Sequence, residues 1–268
     1  MTSSLWLAAG VDSPDRVNPR QGVMTMRGIA HAVMRVLMRA WSLDVIDALS
    51  TAPRAHGDPH AHASGPDPDR ILVFGNGLAA GWGVATHELA IPGELARTLA
   101  AMTGRGADVD ISAYVELKIA RAASTIQTMG LAQYNAVVVI IGATDSMALT
   151  PPRQWRQSMR KLIETSLDGT TASAPLLVVG QQQIRSVPPF DNLFGRATNA
   201  HAIELNDITR ALCEEYSGAD YVSLPAPTAP PGERLGTPER FKHWGNFLAL
   251  RLAPLLAPRL DGDAPPAD

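Results

Sequence analysis

The 268 residues carry 23 Lys and Arg against 26 Asp and Glu, a net charge of −3, so the charge balance excludes no fold but does not suit a nucleic-acid partner. Apolar residues make up 46% of the chain, enough for one α/β domain with appendages to bury a sizeable core. Cys213 is the only cysteine, which excludes an intrachain disulfide and a thiolate zinc cluster and is compatible with a cytoplasmic setting.

Residues 1–23 are polar and punctuated by Gly and Pro, and disorder is expected there. They lack the basic n-region of a secretory leader, and Met24 and Met26 offer alternative starts. No uncharged apolar run reaches the roughly 18 residues of a membrane span. Residues 24–50 have helical periodicity, with Arg27, His31, Arg35 and Arg39 at every fourth position. A helix docked on the domain is expected, burying Val33, Leu37 and Trp41 while Arg27, Arg35 and Arg39 face water. The alternative is weak contact with an anionic membrane surface. Residues 51–69 are rich in Pro, Gly and Asp and are expected to form a flexible linker. His56, His60 and His62 lie in it, but without a scaffold or supporting partners they are not expected to hold a metal.

From residue 70 the pattern alternates between strand and helix. Strand-like runs are Ile71–Phe74, Ala107–Ser112, Ala136–Ile141, Pro175–Gly180 and Ala219–Leu224. Helical stretches follow at about 87–103, 115–130, 152–167, 196–217 and 237–257. Pro152 and the Thr237-Pro238 pair suit helix starts. Five such units predict a three-layer α/β/α domain over residues 70–260, with a flavodoxin-like sheet of five parallel strands and a short disordered tail at 261–268. Functional loops then follow the carboxyl ends of the strands.

Those loops carry a family resemblance. The first strand runs into Gly75-Asn76-Gly77-Leu78, and the third into Gly142-Ala143-Thr144-Asp145. Residues 232–245, with Thr237, Phe241 and Trp244, lie at the last helix, and Gly180-Gln181-Gln182-Gln183 follows the fourth strand. In order and spacing, residues 70–257 resemble the SGNH, or GDSL-like, ester hydrolases of bacteria. The resemblance implies an ancestral activity that cleaved or transferred acyl groups on esters, with a serine nucleophile at position 77. An oxyanion-binding asparagine would stand at 144, a loop-bracing aspartate at 145, and the catalytic aspartate and histidine at 232 and 235.

The chain departs from the family at four of these positions, where it has Gly77, Thr144, Gly232 and Leu235. The second-strand loop, Ile111 to Val115, also lacks the family glycine. Glycine cannot attack a carbonyl, and a serine would still need a base and oxyanion donors. A gapped alignment promotes His243, but the cap at Thr237 puts that residue two turns into a helix. Ser112, Ser146, His201 and His243 are the reserve candidates for a relocated site. Asn76, Gly77, Tyr114, Thr144 and Asp145 are the expected ligand-cleft residues. The chain is therefore read as a degenerate esterase fold that keeps a cleft for a small acyl, ester or carbohydrate ligand, with no metal or other cofactor. An active hydrolase or acyltransferase with relocated groups, and a membrane-surface or partner-binding scaffold acting through residues 24–50, are the alternatives.

Overall fold

The computed structural model describes residues 55–182, 190–225 and 237–256, preceded by Met34, residues 36–45, Asp47 and Pro53. In chain order the strands are β1 (His60–Ala63), β2 (Asp69–Gly75), β3 (Ala107–Ala113), β4 (Ala136–Ile140), β5 (Leu176–Val179) and β6 (Ala219–Val222). The helices are α1 (residues 36–45), α2 (Ile91–Thr103), α3 (Ile119–Ile126), α4 (Ala143–Met147), α5 (Pro152–Gly169), α6 (Leu193–Cys213) and α7 (Pro238–Leu256). They surround one six-stranded sheet of order β1-β3-β2-β4-β5-β6.

β2 to β6 are parallel. Numbered among themselves they run second, first, third, fourth, fifth, the flavodoxin-like order. Their alternating side chains feed two cores. Ile71, Val73, Val109 and Val138 pack with Leu95 of α2 and Trp244 and Leu248 of α7. Leu72, Phe74, Val137 and Val139 pack on the other face with Ile119 of α3, Trp155 of α5 and Leu205 of α6. A sheet covered on both faces explains why its strands read as continuous apolar runs.

The helix boundaries follow local chemistry. α2 starts only at Ile91, where Pro92 occupies the first turn. α3 stops at Ile126, ahead of the left-handed Gly130. α6 begins three residues earlier than expected, because the Asn192 side chain accepts from Gly195 N at 3.0 Å. At α7, Thr237 accepts from Arg240 N through its hydroxyl at 3.4 Å.

Three differences from the sequence-based expectation stand out. First, the sheet has a sixth strand. β1 lies inside the stretch expected to be linker and pairs antiparallel with β3, His60 opposite Asp110 and His62 opposite Asp108. Its Ala61 is fully buried, so a four-residue strand flanked by Pro and Gly is held by tertiary pairing that local propensity does not signal. Second, the short helix α4 follows β4 directly. Third, α1 docks through Met38 and Val45, both buried, while Leu37 is 48% exposed. Trp41 stacks on Phe194 and meets Phe190 edge-on, each at 5.7 Å. Positions 38, 41 and 45 form a stripe offset from the expected 33, 37 and 41. Val33, Arg27, His31 and Arg35 lie outside the described residues, and Arg39 is exposed. No helix among the described residues is long and apolar enough to cross a membrane.

Candidate active-site crevice

The crevice opens at the carboxyl ends of β2, β4 and β5, where the strand order reverses. β2 ends on Gly75, at φ +146° and so close to β4 that a Cβ would overlap the Ile140 carbonyl. The next residue, Asn76, is buried and donates through its amide to the Leu117 carbonyl at 2.6 Å. Gly77 then begins a short 3-10 turn in the left-handed region, at φ +57°.

Thr144 and Asp145 stand on α4, beside that turn. The Thr144 hydroxyl donates to the Val115 carbonyl at 3.1 Å and accepts from the Asn76 amide at 3.4 Å. These bonds tie together the loops that follow β2, β3 and β4. The Tyr114 backbone N–H, in the loop where the family carries a glycine donor, is bonded to the Gly75 carbonyl at 2.9 Å. Asp145 is buried and turns to the protein. Its carboxylate accepts from Ile119 N at 2.9 Å and from the Thr150 hydroxyl at 2.8 Å. Burial, the largest influence, holds its pKa above the usual carboxylate range despite those bonds.

Asn76, Gly77, Leu78, Trp82, Val115, Thr144, Ser146, Met147, Gln181, Phe190 and Thr198 line the crevice, together with the apolar ends of the strands. Ser146 Oγ donates to Gln181 Oε1 at 2.5 Å. Gln181 lies against Gly142, where any Cβ would collide with its side chain. Three buried polar atoms on the lining have no partner among the described residues: Trp82 Nε1, Gln181 Nε2 and Thr198 Oγ1.

Of the five expected cleft residues, Asn76, Gly77 and Thr144 do line the crevice. Tyr114 does not; it is 51% exposed, while the neighbouring Val115 takes the lining position. Asp145 is turned away because its carboxylate braces α3 and the Thr150 loop. Of the reserve candidates only Ser146 is on the lining, and Ser112 is not. His201 donates through Nε2 to the Thr150 carbonyl at 2.8 Å and meets Glu204 through Nδ1 at 3.2 Å. His243 is exposed on α7. Gly232 and Leu235 lie outside the described residues. No histidine and no carboxylate lines the crevice among the described residues. Sequence reasoning missed Trp82, Met147 and Thr198. The Gln181–Gln183 run directly after a strand was the available signal for Gln181.

The model of the GDSL-like Lipase/Acylhydrolase family matches residues 73–245, more than half of the chain, and the chain belongs to this family. The same fold occurs in the native aryl esterase of M. smegmatis, at 21% identity and a TM-score of 0.55 over 70% of this chain and 99% of that one. It also occurs in Est24, a carbohydrate acetylesterase from Sinorhizobium meliloti, at 17% identity and a TM-score of 0.53 with the same coverage. No curated protein sequence matches the chain significantly.

Proposed function

We propose that this chain is a catalytically degenerate member of its family that retains a small acyl, ester or carbohydrate ligand in the crevice. The observation that carries the reading is the lining formed by the described residues: apolar walls, three unpartnered polar atoms, and no nucleophile–base pair among them. Gly77 offers no side chain where the resemblance places the serine. The Thr144 hydroxyl is committed to Val115, so it is not aimed at a developing oxyanion. The buried atoms of Trp82, Gln181 and Thr198 ask for a polar partner, and an ester or hydroxyl group held among apolar walls supplies one.

Purified full-length protein is expected to show no turnover of short aryl esters above a heat-inactivated control and no labelling by a fluorophosphonate. The second reading, a relocated active site, is favoured by one observation, the position of Ser146 on the lining. Hydrolysis abolished by Ser146→Ala would establish that reading and overturn the first. The ligand half is tested by thermal shift with short-chain carboxylic acids, their esters and acetylated sugars. Stabilisation lost in Trp82→Phe or Gln181→Ala is expected; no shift with any of the three classes rejects the retained cleft.

A further inference from the structure

The pairing of β1 with β3 builds a second polar cluster, at the sheet edge. His60 and His62 alternate onto one face of β1, directly opposite Asp110 and Asp108 of β3. His62 Nδ1 lies 2.7 Å and His60 Nε2 3.6 Å from the same oxygen, Asp108 Oδ1. His60 Nδ1 is bonded to Asp110 Oδ1 at 2.8 Å. Asp110 is itself held by the Tyr134 hydroxyl at 2.9 Å, with Arg70 3.9 Å away.

A carboxylate only accepts, so the His60 proton sits on Nδ1, toward Asp110. Its Nε2, on the other side of the ring, faces Asp108 Oδ1 at 3.6 Å, and a metal ion can stand between the two. We infer that His60 Nε2, His62 Nδ1 and Asp108 Oδ1 form a binding site for a divalent transition-metal ion of the zinc class, which clips β1 to the sheet. The three atoms lie within 4.8 Å of one another. Ligands about 2.0–2.1 Å from a tetrahedral zinc stand about 3.3 Å apart, between the two separations observed at Asp108. Asp110 supplies the carboxylate that orients a ligating imidazole. Two imidazoles and one carboxylate suit zinc better than magnesium or calcium, and water completes the coordination. Zinc takes the Nδ1 lone pair of the neutral ring, so the His62 proton moves to Nε2, 3.3 Å from the Ser64 hydroxyl. β1 precedes the segment that matches the family, so neither histidine is a family position, and the inference does not rest on the reading of the crevice.

Zinc titration of the full-length chain by calorimetry tests it. One zinc per chain is expected. His60→Ala and His62→Ala each should weaken binding at least tenfold, and Asp110→Asn by about 10–100-fold through the lost orientation. His243→Ala, at an exposed histidine on α7 outside the cluster, should leave it unchanged. Stoichiometric binding that survives the His60→Ala/His62→Ala double variant, or no stoichiometric binding at all, overturns the site. Cobalt(II) on the unaltered chain gives a reading that needs no variant. Intense visible bands of a four-coordinate nitrogen–oxygen site, bleached by zinc, are expected, and the weak spectrum of the hydrated ion overturns the assignment.

Discussion

At Gly77 the backbone is wound for glycine, and the missing nucleophile is only part of what separates this crevice from a working one. A Cβ at this position would stand 3.3 Å from the Ala143 Cβ at φ +57°, and a left-handed non-glycine residue costs roughly 1–2 kcal/mol. Gly77→Ser is therefore expected to lose about 1 kcal/mol in urea denaturation and to gain no aryl-ester turnover, because the described lining holds no base. Measurable turnover from that single change would mean a base already reaches the site. Asp145 makes a different prediction. Its folded pKa is raised by burial, so the folded state holds its proton more tightly than the unfolded chain. Relative stability is complete below the ordinary carboxylate range and is lost as pH rises through the raised folded value. Compared with Asp145→Asn, which does not titrate, the wild type should lose ground as pH climbs through that window. Denaturation midpoints across the acidic range measure it, and a constant gap between the two proteins would reject the linkage. Gly77 and Thr144 were legible in the sequence because a motif frame surrounds them. The convergence of Trp82, Gln181 and Thr198 was not, since they come from three separate segments and meet only in space.

Among the elements, β2 is anchored at its start by a buried ion pair. Arg105 donates to Asp69 through Nε at 3.0 Å and Nη2 at 2.5 Å, and reaches the Leu256 carbonyl at the end of α7 at 3.3 Å. Both side chains are at most 5% exposed. Removing one partner strands the other charge in the interior, so Asp69→Ala is expected to cost about 3–5 kcal/mol. Chemical denaturation measures this, and a loss under 1 kcal/mol would mean that water reaches the guanidinium. The pair was invisible to sequence reading, because residues 36 positions apart carry no shared pattern. The strands it anchors were legible for the opposite reason: Ile71 to Phe74 and Ala136 to Ile140 are buried on both faces, so apolar composition alone marks them. The sequence HAHA between Pro- and Gly-rich flanks offers no such mark, and β1 exists because β3 presents an open edge to pair with.

For the molecule as a whole, topology carried further than local detail. The order of strand and helix units predicted the doubly covered sheet and placed the crevice at the strand ends that bear Gly77 and Thr144. It led to the expectation that the chain before residue 70 joins the folded body only through a docked helix, and strand β1 was not foreseen. That segment contributes twice, through β1 at the edge and through α1, whose Val45 packs on Met147 and Phe190 at the crevice rim. Docking contacts of this kind depend on which stripe of a helix meets the surface, and a neighbouring stripe of similar composition read equally well.

The antiparallel edge strand also decides where this protein can be cut. The family segment begins at Val73, so a fragment trimmed to that border would lose β1 and part of β2. Backbone donors and acceptors from Ala107 to Asp110, which β1 now occupies, would then lie open for pairing between copies. The smallest fragment that keeps the sheet closed on that side must start before His60, a boundary set by strand pairing and not by family likeness.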